Sequence, residues 1–469
     1  MFIFQYLDVK LKKQSKLKIT QNYITMTISN IIFILLAIGG TAFFAFNVKK
    51  IIANIRLGKA IDRTDNKKQR IKNTIRVALG QSKMTRRPIA GVLHIFIYVA
   101  FVITQIELVE IFVDGIAGTH RIFMDALGGF YTFIISMIEI LSFLALIATF
   151  AFLSRRNLLK LPRFHKSEMN GWPKLDGNII LYMEFVLVMC IFTMNGADEA
   201  LRLVGQSHAE GIGSFGFSIS SFLGENVFGG MDVHTLHLLE RIGWWGHILM
   251  VFAFLNYLPY SKHLHILWAF PNVYFADLNP MGKLKNMQSV TDEVKMMMDP
   301  DADPYAVPEV SESDAEPEKF GVKDVTDLHW MNIMNAYTCT ECGRCTDSCP
   351  ANVTGKLLSP RKIMMDVRDR AEEIGAGIRK EGKDFNDGKS LLGDYITEEE
   401  IWACTSCNAC VQECPVLISP LEIIIDLRRY LVMEESKMPA EIAGMNTNIE
   451  NNQAPWQFPP SDRLKWRDE

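Results

Sequence analysis

CTECGRCTDSCP at 339–350 and CTSCNACVQECP at 404–415 are two copies of one pattern, Cys-x2-Cys-x2-Cys-x3-Cys-Pro. The first copy supplies Cys339, Cys342, Cys345 and Cys349, and the second Cys404, Cys407, Cys410 and Cys414. Three cysteines at this spacing sit on a loop tight enough to turn three sulfurs inward onto three corners of one iron–sulfur cube. A structural zinc takes four ligands, usually as two pairs, and would not call for the same run, proline included, twice. Eight of the nine cysteines lie in the two runs, so no disulfide framework is left to build. Disulfides would also need an oxidising compartment. Two [4Fe–4S] clusters are the expected cofactors.

The fourth cysteine of each run is expected to enter a helix, and in two-cluster ferredoxins that cysteine ligates the other cluster. The expected ligand sets are therefore Cys339, Cys342, Cys345 and Cys414 for one cluster, and Cys404, Cys407, Cys410 and Cys349 for the other. SPRKIMMDVRDRAEEI and SPLEIIIDLRRYLVMEE, one after each run, carry apolar residues at helical spacing. Ser359 and Ser419 each precede a proline, as helix starts often do. The two halves of this region repeat each other.

The 469 residues leave room for two or three domains. The net charge of −4 averages a basic half and an acidic half, and no nucleic acid is expected as a partner. Residues 1–24 carry five lysines but no short apolar core with a cleavage site, so no signal peptide is read there. Five stretches, about 25–47, 89–113, 130–153, 178–203 and 238–260, are long and apolar enough to cross a bilayer, which takes roughly 20 residues. The segment 48–88 carries thirteen Lys and Arg against two Asp, and 154–177 carries six. By contrast 114–129 has only Arg121, and 205–237 has none. Lys and Arg accumulate on the cytoplasmic side, so the N-terminus is expected outside and the cysteine-rich part inside, in the reducing cytoplasm.

His94 begins the second span about five residues, or ~7.5 Å, from its cytoplasmic end. His247 and His265 are eighteen residues apart, or five turns of 3.6, so one continuous helix would show both on one face ~27 Å apart. They cannot then serve one iron. His94 and His265 share a depth and are expected to clamp a b-type haem from opposite sides. Ten residues beyond His94 stands Thr104, so His247 lacks an obvious partner for a second haem. Glu107, Glu139 and Glu184 lie within spans, where carboxyls usually face a bundle interior or a proton path. Cys190, alone in an apolar run, reads as packing. Gly211, Gly213 and Gly216 fit GxGxxG but follow no strand, so no dinucleotide fold is expected. Residues 290–320, rich in Asp, Glu, Pro and Ser, cannot bury enough apolar surface to fold alone and read as a tether.

The last 150 residues closely resemble the two-cluster domain of heterodisulfide-reductase-like iron–sulfur oxidoreductases, through CTECGRC, PANVTGKLLSPRKIMMDVRD, IWACTSCNAC, CPVLISPLEIIIDLRRYLVMEES and NIENNQAPWQF. The membrane half resembles the five-helix gamma subunit of respiratory nitrate reductase, with LPYSKHLHILW like that family's fifth-helix end. In that family the second helix bears two haem ligands ten apart and the fifth two eighteen apart. His94, His247 and His265 match three of these, and Thr104 departs from the fourth. The combination resembles the amino-terminal part of bacterial membrane-bound electron-transfer-flavoprotein dehydrogenases. Those relatives continue into a second cysteine-rich domain. A separate cysteine-rich, heterodisulfide-reductase-B-like protein is expected to supply it here.

The resemblance implies an all-α membrane bundle of five transmembrane helices (1–270), an acidic linker (271–320) and an α-helical ferredoxin-like domain with two [4Fe–4S] clusters and an extended tail (321–469). It implies a multi-pass electron-transfer subunit in the bacterial inner membrane, with no catalytic residue of its own. Electrons would pass from a soluble donor, such as electron-transfer flavoprotein, through the clusters and haem b to a membrane quinone. The alternatives are a quinol-oxidising module feeding a cytoplasmic reductase, or a redox-silent anchor for an iron–sulfur enzyme.

Overall fold

The computed structural model describes residues 27–206, 217–300 and 319–468. The lysine-rich start, the run Gly211, Gly213 and Gly216, and residues 301–318 of the acidic stretch lie outside the described residues. Among the described residues the fold is helical, with two isolated bridges in place of any strand.

Among the described residues five helices are long and apolar enough to cross a membrane: α1 (Ile28–Ile55), α2 (Pro88–Ala117), α3 (Gly129–Asn157), α4 (Trp172–Leu203) and α5 (Val233–Tyr257). Pro88 sits in the first turn of α2, where a missing N–H costs nothing, and Gly118 ends that helix at φ 72°. Outward side chains are apolar: Leu35, Ile38, Phe130 and Phe133 are all exposed, as helices facing lipid require. The chain is a multi-pass membrane protein.

By internal contacts the chain divides into two units, residues 1–49 with 84–263, and residues 50–83 with 264–469. In the first unit α4 packs most extensively on α5. Gly243 and Gly246 permit the close approach: a Cβ at Gly243 would fall 2.6 Å from the Met194 backbone nitrogen, and one at Gly246 2.9 Å from the Cys190 sulfur. Small residues at a crossing let membrane helices gain dispersion contacts that lipid cannot replace. Cys190 is thus a packing residue. Phe33, Ile111, Met194, Trp244, Ile248 and Phe252 close one core of this unit.

The expectation that His247 and His265 share one helix face fails. α5 ends at Tyr257, two 3-10 turns follow, and Ser261 between them is extended at φ −121° and ψ 149°. Pro259 cannot donate to the helical ladder. Asp176 of α4 then captures the free chain, accepting from the Tyr257 hydroxyl (2.6 Å), the Ser261 hydroxyl (2.7 Å) and the Lys262 amide (3.1 Å). His265 opens a new helix, α6 (His265–Tyr274), which belongs to the second unit.

The second unit is built from α6, α7 (Trp330–Thr338), α8 (Pro360–Glu381) and α9 (Pro420–Met433), with α7 packed on both α6 and α8. Ser359 and Ser419 cap α8 and α9, each hydroxyl accepting from the amide three residues on. The basic loop 50–83 folds onto this unit. Fully buried Arg70 donates to the Tyr274 and Ala276 carbonyls, both at 2.9 Å. Asn54 donates to the Tyr337 hydroxyl (2.8 Å) and the Lys59 amide to the Leu328 carbonyl (2.7 Å).

Candidate iron–sulfur centre

Each cysteine run forms the same loop. Glu341 and Gly343 in the first, at φ 53° and 73°, match Ser406 and Asn408 in the second, at φ 54° and 61°. Left-handed backbone at the second and fourth positions after the first cysteine turns the loop back on itself. The Glu341 amide donates to the Cys339 sulfur and the Ser406 amide to the Cys404 sulfur, both at 3.4 Å. Amides aimed at sulfur favour negative charge there, one of the factors that set a cluster's potential.

The fourth cysteines are not on the following long helices. Cys349 caps a four-residue helical turn, Pro350–Val353, and Cys414 ends a five-residue one, Ala409–Glu413; both cysteines are extended, at ψ 116° and 123°. The proline after each cysteine favours that extended geometry, which throws the sulfur away from its own loop. One cavity is lined by Cys339, Cys342, Cys345 and Cys414, with Met364, Val416 and Ile418. A second is lined by Cys349, Cys404, Cys407 and Cys410, with Leu358, Leu421 and Ile424. Cys410 borders both cavities. Each run therefore lends its fourth cysteine to the other run's cavity.

All nine cysteines are free thiols. Among the described residues no three His, Cys, Asp or Glu converge closely enough to hold a single metal ion. Burial pushes the Cys339 and Cys410 thiols up to about 12 and Cys414 to about 11, and neighbouring sulfurs add to the rise. Four thiolates crowded into an apolar cavity repel one another; iron, which holds coordinated thiols deprotonated outright, removes the conflict. Donor set, apolar wall and amide-to-sulfur contacts all fit a cubane. Cys407 is the exposed member of its set.

Two arginines that sequence reading passed over hold these loops. Arg368 of α8 donates to Glu341 at 2.8 Å. Arg428 of α9 donates to the Ile401 carbonyl at 2.6 Å and to the Cys404 carbonyl, and lies over the Trp402 ring. Their shared offset from Ser359 and Ser419 is the repeat signal that could have found them. Buried Asn272 and Asn335 were also missed. Asn335 donates to Asn272 (3.0 Å), Asn272 to the Val416 carbonyl (2.7 Å), and the Ser419 amide to Asn335 (3.0 Å).

His94 lies half-buried on α2 and His247 is buried on α5, its Nδ1 3.5 Å from the Leu187 carbonyl of α4. A carbonyl at one ring nitrogen commonly orients the other toward a metal, so His247 has the chemistry of a ligand. His265 is the half-buried first residue of α6. Glu139 accepts from Asn195 and from the Ile219 and Ser220 amides.

The helical second unit, its doubled cysteine loops and the five spans define a membrane protein that carries an iron–sulfur cluster domain. The 4Fe-4S dicluster domain family matches residues 338–418. The chain is 29% identical over 471 residues to a "Probable iron-sulfur-binding oxidoreductase FadF" of Bacillus subtilis, covering 94% of this chain and 61% of that one. It is 28% identical over 470 residues to an "EtfAB:quinone oxidoreductase" of Syntrophomonas wolfei, covering 94% and 59%. Over 107 residues it is 31% identical to one subunit of a ferredoxin/F(420)H(2)-dependent CoB-CoM heterodisulfide reductase of Methanosarcina acetivorans, covering 23% and 52%. The chain spans about 60% of the length of the first two relatives. No solved structure matches.

Proposed function

We propose that the chain is a membrane-bound electron-transfer subunit that passes electrons from a soluble donor to a membrane quinone. Two cysteine-walled cavities, each drawing its fourth ligand candidate from the other run, in a chain with five spans, are the observation that carries this reading. Similarity along 94% of the chain to an EtfAB:quinone oxidoreductase supports electron-transfer flavoprotein as the donor. A separate cysteine-rich protein of the heterodisulfide-reductase kind is the intermediary.

Cys339, Cys342, Cys345 and Cys414 hold one [4Fe–4S] cluster, and Cys404, Cys407, Cys410 and Cys349 the other. His94 and His265 hold a b-type haem; His247, with its ring nitrogen at a backbone carbonyl, is available to a second. One-electron carriage is what these groups supply when bound. The chain's own residues bury the sulfurs, aim amides at them and exclude water. The packing of loop 50–83 on the cluster unit supports one side of the membrane, the cytoplasmic one, for both.

The test uses the full chain in membranes, reduced with a viologen dye under anaerobic conditions and then given a short-chain quinone analogue. The expected outcome is eight iron and eight sulfide per chain in the cluster unit, a reduced b-type absorption band, and reoxidation of the clusters by the quinone. Reduced clusters that no quinone analogue reoxidises would overturn it.

A further inference from the structure

Glu107, Glu110 and Asp114 are spaced three and four residues apart on α2, which sets them on one helix face. All three are buried, at 3%, 3% and 6% exposure. Together they form a ladder of carboxyls running from inside the span to the helix end that leads into the segment 118–128. Its outer rungs are satisfied. Asp114 accepts from the Arg121 amide at 2.7 Å, and Glu110 from the Tyr131 hydroxyl at 2.7 Å and the Phe123 amide at 3.1 Å.

The innermost rung differs. Among the described residues no hydrogen bond of normal distance and angle reaches either Glu107 oxygen, and the side-chain amide that approaches it, that of Asn195, is given to Glu139 at 3.2 Å. Its carboxyl faces Arg121 from the loop, Glu139 of α3, Asn195 of α4 and Glu110 on its own helix. Arg121 is already engaged, donating to Asp198 (2.9 Å), Asn195 (2.8 Å) and Tyr131 (3.1 Å), with His120 3.8 Å from Asp198. Glu139 is held by Asn195 and two backbone amides. A carboxylate in a bundle interior with no donor is far costlier than the neutral acid. A neutral acid there carries a proton that it can give up and take back.

We propose that Glu107 is a proton-transfer residue and that the ladder Glu107, Glu110 and Asp114 conducts protons between the membrane quinone and the bundle end bearing the segment 118–128. The proposal rests on the quinone-reducing reading above. Reduction of a quinone to a quinol takes two electrons, delivered from the soluble donor through the one-electron carriers of the chain, and two protons, one for each quinone oxygen. The ladder supplies those protons, and each rung recovers its proton from the one outside it. The Tyr131 hydroxyl, bonded to Glu110 and within reach of Arg121, sets the charge environment of the middle rung.

Glu107→Gln keeps the side chain's shape and removes the transferable proton. With the full chain in membranes and a viologen dye as reductant, the variant should reduce a short-chain quinone analogue about a hundredfold more slowly, the scale of a lost proton-transfer group. The KM for the quinone and the cluster signals in electron paramagnetic resonance should be unchanged, and Glu107→Asp should restore part of the rate. Infrared difference spectra should lose one protonated-carboxyl band in Glu107→Gln. Wild-type quinone reduction left intact in rate and pH profile by Glu107→Gln, with the carboxyl band retained, overturns the ladder alone. A wild-type protein that reduces no quinone overturns the functional reading and the destination of the protons with it.

Discussion

Arg368 and Arg428 stand nine residues beyond Ser359 and Ser419, the caps of α8 and α9, and each reaches back to the cysteine loop preceding its own helix. Arg368 grips the Glu341 side chain, whose amide faces the Cys339 sulfur; Arg428 grips the Cys404 carbonyl. The same register on two repeated helices thus fixes the two loops by different means, one through a carboxylate and one through backbone.

Arg428→Met should leave the Ile401 and Cys404 carbonyls without their charged donor. The loss is expected to be about 2 kcal/mol, the scale of a hydrogen bond to a charged group. It should lower the temperature at which the cluster held by Cys404, Cys407 and Cys410 is lost, followed by iron release. Arg368→Met should act on the other loop. If both variants weakened the same cluster, the separate anchoring would be wrong.

Exchange of the fourth ligand makes opposite demands of two single variants. Cys414→Ser should alter the paramagnetic signal of the cluster bound by Cys339, Cys342 and Cys345. Cys349→Ser should alter that of the cluster bound by the second triplet. A Cys414→Ser protein whose changed signal belonged to the second triplet would show that each run holds its own cluster.

Gly343 and Asn408 occupy matching left-handed positions. Gly343→Ala should cost about 1–2 kcal/mol, because a Cβ in that region meets the following carbonyl. Asn408→Gly should be close to neutral, since both residues visit this conformation readily. Thermal unfolding of the cluster unit followed by cluster absorbance checks the pair, and equal losses would remove the conformational argument.

Ala60 is exposed on the basic loop. In Ala60→Cys, a membrane-impermeant maleimide should react only after the bilayer is breached. Labelling from intact cells would invert the topology.

His94→Ala should abolish a reduced b-type absorption band while the cluster signals persist. An unchanged band would exclude His94 from the haem site.

Five spans were legible because each is a single apolar run, and a hydrocarbon-length helix needs no information from elsewhere in the chain. The cysteine loops were legible for a similar reason: ligand spacing is local, and Ser-Pro before each apolar run marks where α8 and α9 begin. Properties fixed by contacts distant in sequence could not be read this way. The thirteen Lys and Arg between the first two spans served only to orient the membrane half, whereas the fold buries one of them, Arg70, and turns it to the Tyr274 and Ala276 carbonyls. The sequence showed His247 and His265 on one helical face, whereas Asp176, more than eighty residues away, holds the break at Ser261. Nor does local pattern reveal the Asn272 to Asn335 bond, across 63 residues, that ties Val416 and Ser419 beside Cys414. Composition and spacing determined which groups this protein carries. Only tertiary structure decided which cysteines share a cavity, and that Glu107 alone on its ladder receives no hydrogen bond of normal distance and angle among the described residues, because burial and hydrogen bonding depend on neighbours that the chain brings together by folding.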